Sequence, residues 1–265
     1  LIEAVRAGLE ERADPVKALE MQAYMKSGMP FLGVQKPGRV ALLKSLPQLH
    51  DRDEWLDAIR TLWREAAYRE ERYIALSLSG DRRFQSVDLL PWFDEMIVTG
   101  AWWDYVDEIA SKRVGPLLRS TPDVVRPLML EWSADADRWR RRTSVICQLG
   151  SKGATDVELL TACVDANVDD PDFFLRKGIG WALREFAKTE PGWVRSFVEA
   201  RPGLSPLSRR EALKHLQCAD AGAEPVRERL TSALRRKSAA EVPAVCAARG
   251  ALSCAWSARK RPACS

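Results

Sequence analysis

Residues 173–183 read FFLRKGIGWAL, and the same kind of helix start occurs three more times, as EERYIALSLS at 70–79, WRRRTSVICQL at 139–149 and SRREALKHL at 208–216. The arginines that align in these copies, Arg72, Arg142, Arg176 and Arg210, stand 70, 34 and 34 positions apart, and the midpoint of the doubled first step falls on Asp107. A repeat of about 35 residues holding two helices is the signature of an α-solenoid, in which each unit stacks on the next and equivalent helices line one concave surface. An all-α chain of about six helix pairs is expected. An acid replaces the base only in the middle copy.

The sequence around these copies is helical too. Apolar residues fall at i, i+3, i+4 and i+7, alternating β-branched runs are missing, and turn signals such as Lys36-Pro37-Gly38, Thr121-Pro122-Asp123, Asp170-Pro171 and Glu190-Pro191 cut the pattern into short pieces. In the stretch from Asp172 to Thr189, Phe174, Leu175, Ile179, Ala182, Leu183 and Phe186 form the core stripe. Lys177, Trp181, Arg184 and Lys188 form a second stripe, cationic with one indole in it. Gly178 and Gly180 each weaken a helix by about 1 kcal/mol relative to alanine. That predicts close approach of another backbone or a ligand, or relief of crowding between helices.

The middle copy carries the chemistry. Residues 99–107 read TGAWWDYVD. A helix starting near Gly100 or Ala101 places Trp103 and Asp107 one turn apart on one face and lines Trp102 up with Val98 and Val106. One indole is then expected to pack inward and the other to stand beside a carboxylate.

Composition bounds the alternatives. The 265 residues are 46% hydrophobic and 29% charged, with a formal net charge of +4. Residues 226–265 hold nine Lys/Arg against Glu228 and Glu241, so the excess positive charge sits in the tail and says nothing about the folded body. That tail, from Gly222 on, loses the amphipathic pattern and reads as a disordered or weakly helical extension. Six cysteines without a CxxC pair, and only His50 and His215 to help them, argue against zinc and for a reducing cytoplasmic setting. No stretch approaches the roughly 18 consecutive apolar residues of a membrane span. The N-terminus is amphipathic and acidic, unlike a secretory signal, and the absent initiator Met suggests a trimmed or incomplete start.

The order YMKSGMPFLGVQKPGR, LWREAAYREERYIAL, FDEMIVTGAWWDYVD, WRRRTSVICQL, FFLRKGIGWALREFAKT and LSRREALKH resembles the AlkD-type DNA alkylpurine glycosylases, DNA alkylation repair enzymes of bacteria built from HEAT-like helical repeats. The likeness runs unbroken over residues 1–217, implying a repeat domain over 1–220 and leaving 221–265 as a basic extension without a counterpart. It implies a monomeric enzyme of the bacterial cytoplasm and nucleoid, acting on double-stranded DNA with no metal and no cofactor. Carried across residue by residue, the site is Trp103, Asp107 and Trp181, with Arg142 on phosphate. The helix start reads Arg140-Arg141-Arg142, which leaves open which of the three meets DNA. Relatives that lack the Trp/Asp set resemble noncatalytic binders of branched or damaged DNA, and that is the alternative reading.

The implied reaction fits so sparse a site. An N3-alkylated adenine or N7-alkylated guanine already carries positive charge, so no acid need protonate the departing base, and one carboxylate suffices to stabilise the sugar cation and hold the attacking water. Asp107 is assigned that role, between the faces of Trp103 and Trp181. The resemblance further implies a lesion that stays stacked rather than flipped. Arg142, Lys177, Arg184, Lys188 and Arg210, with Lys36 and Arg39, are expected to grip the phosphates. No carboxylates paired as acid and base and no lysine are expected beside Trp103 and Asp107, and without the lysine no Schiff-base step is expected.

Overall fold

Aspartate side chains start five of the described helices. The structure, a computed structural model, describes residues 1–216, and the expected extension over 221–265 lies outside the described residues. The helices are α1 (Ile2–Glu10), α2 (Pro15–Met25), α3 (Lys36–Ser45), α4 (Arg52–Arg64), α5 (Arg69–Leu78), α6 (Leu90–Gly100), α7 (Trp103–Ile109), α8 (Gly115–Ser120), α9 (Pro122–Ser133), α10 (Arg138–Ile146), α11 (Val157–Asp165), α12 (Phe173–Phe186), α13 (Pro191–Glu199) and α14 (Pro206–Leu213). The side chains of Asp14, Asp51, Asp137, Asp156 and Asp172 accept from first-turn N–H groups of α2, α4, α10, α11 and α12. Each such cap is worth about 1 kcal/mol. Lys36-Pro37-Gly38, expected to interrupt a helix, opens one instead: Pro37 sits in the first turn of α3, where its missing N–H has no partner to lose.

Among the described residues the regular structure is all helical, and it stacks as an α-solenoid of the HEAT-like kind. Helices α5, α7, α10, α12 and α14 pack each on the next in one row. Helices α4, α6, α9, α11 and α13 pair with them behind. The repeat is visible as a ladder of side-chain hydrogen bonds between units: Trp63 Nε1 to Thr99 Oγ1 at 2.9 Å (36 positions apart), Arg113 Nε to Ser79 Oγ at 3.0 Å (34), Asn167 Nδ2 to the Ser133 carbonyl at 2.9 Å (34), and Ser208 Oγ to the Arg176 carbonyl at 2.9 Å (32). The period read from four arginines is thus the distance along the chain at which neighbouring units touch.

The core between the rows is built by Trp55, Trp63, Phe93, Tyr105, Ile109 and Leu183 among others, all buried. Full burial of such side chains contributes about 1.5–3 kcal/mol each. Cys147 and Cys163 belong to this core as free thiols, and burial pushes the Cys163 thiol up to about 11. Between α7 and α8 the helix runs on through a π-helical segment, Ala110–Val114. Gly115 follows because a Cβ there would lie 2.3 Å from the Cys147 carbonyl oxygen. No helix of the described residues is long and apolar enough to cross a membrane.

Candidate functional site

The site begins at a sharp joint. Helix α6 runs to Gly100, Ala101 takes the left-handed conformation (φ 43°), and Trp102 is extended, so α7 starts at Trp103 and not at Gly100 or Ala101. This corrects the expected alignment of Trp102 with Val98 and Val106. Trp102 instead joins an aromatic cluster, its ring centroid 5.5 Å from Phe174 and 6.3 Å from Trp139. Trp103 and Asp107 remain one turn apart on α7.

A cleft of about 440 Å³ opens on that face of α7. Trp103, Asp104, Asp107, Glu108, Ser111 and Lys112 form one wall, and Trp181 and Glu185 of α12 the other, with Leu149 and Gly150 at its floor. The three residues assigned to the chemistry therefore line one space. Two expectations do not hold there. Carboxylates besides Asp107 line the cleft, Asp104 and Glu108 on α7 and Glu185 on α12, and so does a lysine, Lys112, on the helical turn that follows α7.

Asp107 is held from the next unit. Arg142 of α10 donates Nε to Oδ1 at 2.7 Å and Nη2 to Oδ2 at 2.9 Å, a two-pronged pairing that fixes the carboxylate plane. Its remaining nitrogen, Nη1, donates to the Phe174 carbonyl. The guanidinium is buried behind the acid. Gly178 of α12 leaves it room, since a Cβ there would come within 3.0 Å of Arg142 Nη1. Burial raises the Asp107 carboxyl above the ordinary aspartate value and the nearby charge of Asp104 adds to this, while Arg142 pulls the other way.

The neighbouring arginines diverge because successive helix positions point about 100° apart. Arg140 pairs with both oxygens of Asp94 at 2.7 Å, Arg141 with Asp170 at 3.1 Å, and Arg142 alone reaches the cleft acid. The other expected phosphate ligands divide by what already holds them. Lys177 (2.7 Å) and Arg184 both pair with Glu211 of α14. Arg39 donates to the Val34 carbonyl at 2.7 Å and lies 4.3 Å from the centre of the Tyr73 ring. Lys188 is exposed and pairs with Glu185 at 2.6 Å. Lys36 and Arg210 are exposed.

Gly180 has a different purpose from Gly178: a Cβ there would stand 2.5 Å from Glu211 Cβ and 3.0 Å from the Ser208 carbonyl oxygen, so it permits α14 to close on α12. The sequence reading missed the support behind Asp104, namely Arg69 and Tyr73 of α5. The signal was present, because the same 35-residue step that links Asp107 to Arg142 links Arg69 to Asp104. Among the described residues no group of three or more His, Cys, Asp or Glu is placed to hold a metal ion.

Comparison with known proteins agrees with the fold. The profile of the family described as DNA alkylation repair enzyme matches residues 5–216. A solved structure of a predicted DNA alkylation repair enzyme from Enterococcus faecalis superposes with a TM-score of 0.69 at 30% identity, over 77% of this chain and 97% of that one. No curated protein matches the chain.

Proposed function

This chain belongs to the DNA alkylation repair enzyme family, and from that premise we propose that it is a monofunctional DNA glycosylase that hydrolyses the N-glycosidic bond of cationic alkylpurines in duplex DNA and leaves an abasic site. The observation that carries the reading is the meeting of Trp103, Asp107 and Trp181 in one cleft, with Asp107 fixed by Arg142. N3-alkyladenine and N7-alkylguanine are the substrates, recognised by charge and left stacked in the duplex.

The glycosidic bond breaks with its electron pair going to the base nitrogen, so the base leaves neutral and positive charge passes to the sugar. Asp107 faces that charge, and the two indole faces add about 0.5–2 kcal/mol each. Water oxygen then bonds to C1′, and its proton passes to Asp107 and on to solvent. A carboxyl lifted by burial takes a proton more readily than an exposed one. The noncatalytic alternative is disfavoured because a DNA-structure binder has no use for a buried, paired acid between two indoles.

The test is release of 7-methylguanine from methylated duplex by the intact protein and by Asp107→Asn. Release by the first and not the second, with duplex affinity retained, is the expected result; equal release by both removes Asp107 from the mechanism. Efficient release of hypoxanthine, a neutral base, contradicts selection by charge. Because Lys112 lines the cleft, borohydride trapping on an abasic duplex decides the remaining point: no covalent adduct is expected.

A further inference from the structure

Asp104 precedes Asp107 by three positions, shares its helix face and lines the same cleft. Both of its oxygens are held from the preceding unit. Oδ1 accepts from Arg69 Nη2 at 2.7 Å and Oδ2 from Tyr73 Oη at 2.6 Å. Arg69 is itself locked, donating Nε to Tyr73 Oη at 3.1 Å and Nη1 to Ser27 Oγ at 3.3 Å, with its guanidinium 4.2 Å from the centre of the Tyr105 ring. Desolvating a guanidinium this thoroughly costs several kcal/mol. An apolar contact between α5 and α7 would join the helices without that cost.

The two ion pairs are arranged alike. The arginine side chains are 6% and 4% exposed, the aspartates in front of them 13% and 14%. Each pair thus turns its negative end toward the cleft and its positive end into the protein, one braced from α5 and the other from α10. Preorganised charge of this kind stabilises a developing cation without reorganising during the reaction.

We propose that Asp104 is a second functional carboxylate of the cleft, positioned by Arg69 and Tyr73 so that its charge faces the sugar cation left when the base departs. The inference rests on the glycosylase reading. Asp107 alone does not meet the whole demand. Once it accepts the proton of the attacking water it is neutral, and the Arg142 guanidinium behind it has lost its counter-charge while the sugar is still bonding to water. Asp104, held by Arg69 and Tyr73, takes no part in that proton transfer and faces the same cleft beside Asp107. It also accounts for selection by charge, since a cleft lined by carboxylates and two indole faces suits a cationic base and sugar and offers a neutral lesion little.

The test compares duplexes in which one deoxyribose is replaced by a protonated pyrrolidine or by neutral tetrahydrofuran. The ratio of the two affinities reads the preference of the site for a sugar cation, independently of turnover. Asp104→Asn is expected to lower that ratio and the single-turnover release of 7-methylguanine about tenfold each, the loss of one well-placed charged contact, with tetrahydrofuran affinity kept. Tyr73→Phe, which removes one hydrogen bond and leaves the ion pair, is expected to lower both about threefold. It carries the test should Asp104→Asn not fold. Ratio and rate unchanged in both variants overturn the proposal and leave the glycosylase reading standing. A wild-type protein that shows neither preference nor release overturns both.

Discussion

Two carboxylates of this protein are caught by cations from a neighbouring unit, and they respond in opposite ways. Glu211 of α14 accepts from Lys177, 34 positions away, and from Arg184, and the Lys177 hydrogen bond holds its carboxyl below the ordinary range. Asp107 of α7 accepts twice from Arg142, 35 positions away, yet its carboxyl is raised, because burial outweighs the pairing. The cross-unit step is the same in both. What differs is the cleft between two tryptophans in front of Asp107 and the direct closure of α14 on α12 around Glu211. One register therefore serves stacking in one place and chemistry in another, and what separates the two is the surroundings of the acid, a cleft and a neighbouring carboxylate at Asp107 against two cations on Glu211.

The sharpest way to break this contrast is to neutralise each acid without changing its shape. Asp107→Asn is expected to cost about 10²–10³ in the rate of 7-methylguanine release, the usual scale for losing one preorganised electrostatic group. Glu211→Gln is expected to leave the rate unchanged and to lower stability by about 1 kcal/mol, since it costs Lys177 and Arg184 the charge of their shared partner. Single-turnover rates and denaturant midpoints measure the two effects, and a comparable loss of rate from Glu211→Gln would erase the distinction.

Glycines one helical step further apart sharpen it at smaller scale. Gly180→Ala forces a methyl group into the α14 backbone and is expected to destabilise by about 1–3 kcal/mol with little effect on chemistry. Gly178→Ala pushes instead on the Arg142 guanidinium, a side chain that can give by a few tenths of an ångström. Its expected effect is on rate, about tenfold, through a displaced Asp107. The two variants should thus fail in different assays.

Solution pH tests the opposite carboxyl shifts directly. A carboxyl lowered on folding contributes stability above its unfolded value and loses it as pH falls through the folded one. A carboxyl raised on folding does the reverse, weakening the fold as pH rises through the raised value. Glu211→Gln should therefore flatten the loss of Tm on acidification below about pH 4, while Asp107→Asn should remove the opposite trend, the weakening as pH rises, and lower Tm overall because it leaves the buried Arg142 guanidinium without its counter-charge.

How far the sequence carried this picture follows from which forces repeat. The period was legible because helix starts must recur wherever units stack, and the contacts at 32 to 36 positions are its physical content. Trp103 and Asp107 were legible because helical spacing brings them to one face, and Trp181 because of the likeness to the alkylpurine glycosylases. The partners of the cations were not. Arg140, Arg141 and Arg142 are identical as letters and find three different acids, and nothing in their spacing says that Arg142 would turn inward to Asp107 and not outward to phosphate. Asp104 was passed over for a related reason: its bracing arginine, Arg69, lies three residues before Arg72, the arginine that marks the repeat, so an alignment on Arg72 steps over it.

The smallest effect belongs to the cations still open to solvent. Lys188 is the exposed end of the α12 stripe, and its pairing with Glu185 at 2.6 Å is a surface ion pair worth at most about 1 kcal/mol. A phosphate can replace Glu185 at little cost, whereas Lys177 and Arg184 would each have to leave a shared, more buried carboxylate. Lys188→Ala is therefore expected to reduce the slope of log affinity against log salt by about one unit and to weaken binding a few-fold at low salt, equally for intact and lesion-bearing duplexes. Lys177→Ala should change the slope less, because its charge is already committed to Glu211. A larger slope change from Lys177 than from Lys188 would mean that duplex binding opens the α12–α14 pairing, and that the stacking carboxylate is as available to function as the one in the cleft.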